Sequence, residues 1–225
     1  AIAGAGNAGD FSGFNSGIIT LDLSNDGITI ADGDVFEVDV DAGIFENSGG
    51  SPNAAIAGSS DWSFSIDGVA PVFSAVAPSS STSVNSTAVS YTLNENITSG
   101  TITFTRTGGA ADGSSPHVVN LTGAELTSGT KTDITLANDP TLADGTVYSI
   151  EFDGVDLAGN TAATVTSTNV TFDITNPTIS AVAPTTGATV NSTQVSYTLD
   201  ENLTSGTITF TRTGGSADGS SPHVV

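Results

Sequence analysis

The 225-residue chain has no cysteine, no methionine, three basic residues and no long apolar run. Each absence excludes something. Without cysteine there are no disulfides and no thiolate metal sites. Only Arg106, Lys131 and Arg212 oppose 24 acidic groups, leaving a formal net charge of −21. Such a surface repels nucleic acid and anionic lipid, so neither is expected as a partner. No stretch approaches the roughly 20 apolar residues of a membrane span, and no signal peptide is legible. With no methionine, Ala1 reads as an internal position of a longer chain, and the missing cysteine suits an exported one.

What remains is rich in Thr, Ser, Gly, Ala and Val, which disfavours helix and favours short strands joined by tight turns. Residues 173–225 nearly copy residues 67–119: of 53 aligned positions 14 differ and 39 are identical. Asp67, Pro71, Asn85, Tyr91, Glu95, Arg106 and His117 recur as Asp173, Pro177, Asn191, Tyr197, Glu201, Arg212 and His223. The copy stops mid-unit at Val225, which reads as a stretch of a tandem array.

Within the complete unit, alternation marks strands. Val89, Tyr91 and Leu93 share one face of Thr87–Leu93. Ile102 and Phe104 face inward from Gly100–Gly108, with Thr101, Thr103, Thr105 and Thr107 outward. Further strands are expected at 72–76, 117–121, 132–136, 146–152 and 163–172. Turn signals lie at Asn94–Asn96, Asp112-Gly113, Asp144-Gly145 and Asp153-Gly154. About seven short alternating strands in roughly 100 residues is an immunoglobulin-like pattern. Leu142-Ala-Asp-Gly-Thr-Val-Tyr148 fits the corner of that fold, where a tyrosine hydroxyl ties the preceding turn.

The expected class is all-β: tandem immunoglobulin-like β-sandwiches with partial domains at both ends. Residues 67–172 form the complete repeat and 173–225 the N-terminal half of the next. Residues 1–66 form the C-terminal part of a divergent domain. There Ala31-Asp-Gly-Asp-Val-Phe36 parallels Ala143-Asp-Gly-Thr-Val-Tyr148, and Ile56–Ile66 parallels the final strand. Strand addition by another subunit would complete this half, giving fibres by homo-association.

The strings Asp156-Leu-Ala-Gly-Asn160-Thr-Ala and Phe172-Asp-Ile-Thr-Asn-Pro177 resemble the loop and linker of bacterial immunoglobulin-like repeats. Val40-Asp-Ala-Gly-Ile-Phe45 is similar to a related module of surface-layer proteins. The resemblance covers the whole chain and implies giant surface adhesins or similar exported proteins, an extracellular or cell-surface location, and an extension and adhesion role.

In that topology the start of the first strand and two interstrand loops meet at one pole. These places carry Asp67, Asn94-Glu95-Asn96, and Asp153-Gly-Val-Asp156 with Asn160. Several oxygens from separate loops suit six- to eight-coordinate Ca²⁺, which would stiffen the junction. Asp173 and Glu201 repeat the set in the next unit, where Asn94 becomes Asp200. The expected metal ligands are therefore Asp67, Glu95, Asp153, Asp156, Asn160, Asp173 and Glu201. Turn formation accounts for the same Asp, Asn and Gly residues, and solubility in salty surroundings accounts for the acidity.

Arg106 alternates inward, which calls for Asp112, Glu125 or several carbonyls as partners and reads as a clamp on the glycine-rich loop. His117 has no second His or Cys nearby. No nucleophile elbow, Ser–His–Asp order or phosphate loop is present, so no enzymatic activity is expected. A spacer or stalk repeat of an exported surface or filament protein is the leading functional class. A glycan- or receptor-binding module would need an exposed aromatic cluster, and accessory domains of a secreted hydrolase form the third class.

Overall fold

The computed structural model describes Phe11–Ser12, Thr20–Leu21 and residues 30–225. Among these residues the chain is all-β apart from one 3-10 turn at Gly123–Leu126. The strands are β1 (Phe11–Ser12), β2 (Thr20–Leu21), β3 (Val35–Glu37), β4 (Ser63–Ser65), β5 (Phe73–Ala77), β6 (Ser83–Val84), β7 (Val89–Leu93) and β8 (Ser99–Gly109). They continue as β9 (His117–Asn120), β10 (Gly129–Ile134), β11 (Thr146–Val155), β12 (Val165–Phe172), β13 (Ile179–Ala183), β14 (Ser196–Leu199), β15 (Thr209–Phe210) and β16 (His223–Val224).

The alternation expected of residues 67–172 becomes two sheets. One is three-stranded and antiparallel, in the order β10-β7-β5. The other has the order β6-β12-β11-β8-β9, antiparallel except where β6 runs parallel to β12. Inward residues of both sheets enter one apolar cluster, including Val89, Tyr91 and Leu93 from β7 and Tyr148, Ile150 and Phe152 from β11. Phe73 and Tyr91 of the smaller sheet meet Phe152 of the larger, with ring centroids 6.1 and 6.2 Å away. Each aromatic side chain buried this way stabilises the fold by about 1.5–3 kcal/mol.

Strand β11 organises the larger sheet. It pairs with β8 from Thr146↔Gly109 to Val155↔Ser99 and with β12 on its other edge. Positive-φ residues stand where registers slip: Ala75 in β5, Asp133 in β10 and Asn169 in β12. These are bulges, which bend a strand and increase its twist. The two-residue β6 was not expected from sequence, because a parallel pairing that short leaves no alternation to read.

Arg106 corrects one expectation. It pairs with buried Tyr148, keeping inward parity, but at the end of the sheet it is exposed. Its guanidinium donates to the carbonyls of Ala110 (2.7 Å) and Gly109 (3.0 Å), not to Asp112 or Glu125. The loop clamp is thus built on carbonyls. Asp112 instead accepts from the Tyr148 hydroxyl at 2.6 Å and lies 2.6 Å from Nε2 of His117. The Tyr148 oxygen also accepts from the Ala143 amide at 3.0 Å, the corner contact expected from sequence.

The flanking segments are simpler. In the N-terminal one, β3 pairs with β4, and Phe36 stacks on Phe64 at 5.4 Å. The Gly33 amide donates to the Ile66 carbonyl (2.9 Å), as Gly145 does to Phe172 (2.8 Å). Asp32 accepts from the Gly68 amide (2.9 Å), as Asp144 does from Ile174 (2.8 Å). In the C-terminal segment β13 pairs with β14 and β15 with β16. Its core-type residues are bare: Phe210 is 36% exposed, whereas Phe104, its identical counterpart, is 1% exposed.

Replacing Tyr148 by Phe deletes the hydroxyl shared by Asp112 and Ala143 while keeping the ring. Urea unfolding should show a loss of roughly 1–3 kcal/mol, the range for an unmade buried hydrogen bond to a charged group. An unchanged midpoint would remove the corner from the account of stability.

Candidate metal centre at the unit junctions

The Asp67-Gly-Val-Ala-Pro71 linker leads into β5, where Phe73 is anchored in the core. The loop after β7 carries Glu95, and the loop after β11 carries Asp156. One ligand oxygen from each of Asp67, Glu95 and Asp156 lies within 4.8 Å of the others. Two oxygens each about 2.4 Å from a shared Ca²⁺ can be no farther apart than that. The three carboxylates run from exposed Asp67 through half-buried Glu95 to Asp156, which is 3% exposed.

Asp156 is held in place by its own loop. One oxygen accepts from the amides of Gly159 (2.7 Å) and Asn160 (2.8 Å), so Asp156-Leu-Ala-Gly-Asn160 closes as a side-chain-capped turn. Burial pushes its carboxyl up, but the hydrogen bonds from the Asn160 side chain, from the Asn160 amide and from Gly159 outweigh burial and hold it below the usual range. Those hydrogen bonds favour its charged form although its own side chain is buried.

Of the expected ligands of the first junction, the structure brings three carboxylates together, sets Asn160 beside them by its amide nitrogen and places Asp153 elsewhere. Asn160 turns its Nδ2 toward the cluster, donating to the Asp67 carbonyl (3.0 Å) and to Asp156 (2.8 Å). It braces the linker against the loop instead of offering an oxygen. Asp153 sits within β11, where alternation buries Phe152 and sends Asp153 to the outer face. There it accepts from the Thr164 hydroxyl. Asn94 is likewise structural, accepting from the Val72 amide at 2.7 Å.

At the second junction Asp200 takes the place of Asn94 and receives Thr178 through both amide (2.7 Å) and hydroxyl (2.6 Å). Asp173 accepts from the Thr175 amide at 3.1 Å. Asp144, in the turn before β11, accepts from the Ile174 amide and the Thr175 hydroxyl (2.7 Å). Glu201 lies among them. Desolvation, then the charges of Asp173, Asp200 and Asp144, raise its carboxyl above the ordinary glutamate range. Its Oε1 is the one buried side-chain oxygen or nitrogen without a hydrogen-bond partner among the described residues. A buried, unpaired oxygen repelled by other carboxylates is costly unless a cation or proton joins it, although among the described residues only Asp67, Glu95 and Asp156 bring three ligand atoms within 4.8 Å of one another.

Sequence reasoning missed Asp144. The signal was available, because Asp-Gly recurs before β11 and before β3 as Asp144-Gly145 and Asp32-Gly33. What hid it was its reading as a turn former alone. No protein-family model matches the chain, and neither curated proteins nor solved structures give a match.

The direction of the Glu201 shift sets a pH dependence. Its folded value lies above the unfolded one, so between the two the folded chain holds the proton more tightly. The stabilisation is present below the unfolded value of about 4.3 and is lost as pH rises through the raised folded value. In chelator, Glu201→Gln should therefore be more stable than the parent chain at pH 7 and equal to it at pH 4. A variant less stable at pH 7, followed by thermal unfolding, would contradict this electrostatic picture.

Proposed function

We propose that this chain is part of a structural spacer from an exported cell-surface or filament-forming protein, built from tandem immunoglobulin-like units whose junctions are stiffened by Ca²⁺. The sheet orders β10-β7-β5 and β6-β12-β11-β8-β9 around one core support the immunoglobulin-like reading of 67–172. The shared turn hydrogen bonds at Gly33 and Gly145 support reading 30–66 as the end of a preceding unit. The copied sequence supports reading 173–225 as the start of the next.

The observation that carries the cation is the unpartnered Glu201 oxygen among Asp144, Asp173 and Asp200. Asp67, Glu95 and Asp156 converge at the equivalent place one unit earlier. Carboxylates from a linker and from the loops of the following unit, held by one hard cation, remove bending freedom at the joint. Such a device serves extension. The acidity and the missing cysteines fit a chain that works outside the cell.

Adding Ca²⁺ to the chelated chain should raise its melting temperature. Ligand at a hundredfold its dissociation constant contributes about 2.7 kcal/mol per site. For a chain of this size that corresponds to roughly 5–10 °C. Glu95→Gln and Glu201→Gln should each remove part of the shift, and the double variant nearly all of it. An unchanged melting temperature at millimolar Ca²⁺ would overturn the proposal.

A further inference from the structure

In 67–172 an early strand, β6, and the last strand, β12, lie side by side and run parallel. The chain enters this unit at Asp67, whose carbonyl accepts from Asn160 in the loop between β11 and β12 (3.0 Å). It leaves at Asp173, directly after β12 ends at Phe172. Entry and exit therefore sit toward opposite ends of β12, a strand of eight residues. At about 3.3 Å per residue that strand is roughly 26 Å long.

The contacts between β6 and β12 extend beyond the two residues of β6 itself. The Ser81 amide donates to the Thr168 carbonyl (2.9 Å), the Thr171 amide to Thr82 (2.9 Å) and the Asp173 amide to Val84 (2.9 Å). The Thr168 amide also donates to the Ser80 hydroxyl at 3.0 Å. A pull on the entry side of β6 and the exit side of β12 runs along both strands in opposite senses. These bonds are then loaded together, in shear, instead of one after another. Strand β12 is anchored on its other edge to β11, and the Gly145 amide holds its last residue through the Phe172 carbonyl (2.8 Å). Strand β6 is the edge of its sheet and has no second neighbour there. The entry strand β5 gives weaker resistance, because a bulge at Ala75 interrupts its pairing with β7.

We infer that the β6–β12 pairing is a load-bearing clamp, which keeps 67–172 folded when the chain is pulled through its two linkers. The tension comes from the spacer role proposed above, on which this assignment rests; the resistance belongs to the unit itself. Single-molecule pulling of the full chain from its ends, in chelator so that no junction cation contributes, measures that resistance. Thr171→Pro deletes the amide that meets Thr82. That amide points toward β6, so the bonds between β12 and β11 are kept. Its unfolding rate at fixed force should rise roughly fivefold, the factor for one lost backbone hydrogen bond. Tyr148→Phe weakens the corner away from β6 and should change that rate by less than about twofold.

The direction of pulling gives a second readout that leaves the clamp residues unchanged. The cysteine-free chain accepts handles at S79C and T166C, two exposed positions near the entry-side ends of β6 and β12. Pulling there peels the pair bond by bond and should need roughly half the end-to-end force or less. Equal forces in the two geometries overturn the clamp. So does a Thr171→Pro chain that yields no faster than the parent, or no faster than Tyr148→Phe. If Thr171→Pro does not fold, the two pulling geometries decide alone. Loss of the clamp while Ca²⁺ still raises the melting temperature leaves the stiffened-junction reading standing. A clamp that holds in a chain indifferent to Ca²⁺ removes that reading and keeps the clamp.

Discussion

Pairing of β8 with β11 is the interaction on which the rest of the structure depends. The same Thr-Ile-Thr-Phe sequence occurs at 101–104 and 207–210. In the first copy Phe104 is sealed in the core; in the second Phe210 is open to solvent. In 67–172 it is β11 that lies along this tetrapeptide, with Ile150 opposite Phe104 and Phe152 opposite Ile102. Strand β11 supplies alternate buried residues from Thr146 to Gly154, bonds β8 along its length and carries Tyr148 to the corner. Small residues allow that close approach. A side chain at Gly109, which has a φ of +66°, would overlap the Gly145 carbonyl oxygen, and one at Gly100 would press on the Asp153 carbonyl.

The same strand governs the junctions. The turn that starts β11 holds Asp144 against the following linker, and the loop that ends it reaches the preceding one through Asn160, whose amide donates to the Asp67 carbonyl. Within 67–172, β11 thus carries an acidic residue beside each of its ends, Asp144 before it and Asp156 after it. Among the described residues, Asp67, Glu95 and Asp156 meet where a linker reaches loops, and the basic side chains are engaged elsewhere. Arg106 and Arg212 close glycine-rich loops through carbonyls, and Lys131 reaches the Thr127 carbonyl. A cation bound at Asp67, Glu95 and Asp156 would offset the repulsion there.

Much of this was legible in the sequence because its causes are local. Period-two alternation located β7, β8 and β11, and the Ala143–Tyr148 string located the corner. Asp67, Glu95 and Asp156 were legible as a set because chain topology brings loop ends to one pole. Other features depend on partners that a linear pattern does not carry. Asp153-Gly154 reads as a turn in the sequence, but β11 runs on to Val155 and turns that carboxylate outward. Asn160 was assigned as a ligand, but its amide is spent on the Asp67 carbonyl and Asp156. The solvent exposure of Arg106 follows from where the sheet ends, and alternation says nothing about that.

The central claim is that each junction holds a divalent cation between a linker carboxylate and the loops of the following unit. Isothermal titration of Ca²⁺ into the chelated full-length chain tests it most directly. The account predicts two binding events per chain, one at Asp67, Glu95 and Asp156 and one at Asp173 and Glu201 with their neighbours. Absence of saturable binding at millimolar Ca²⁺ would contradict it.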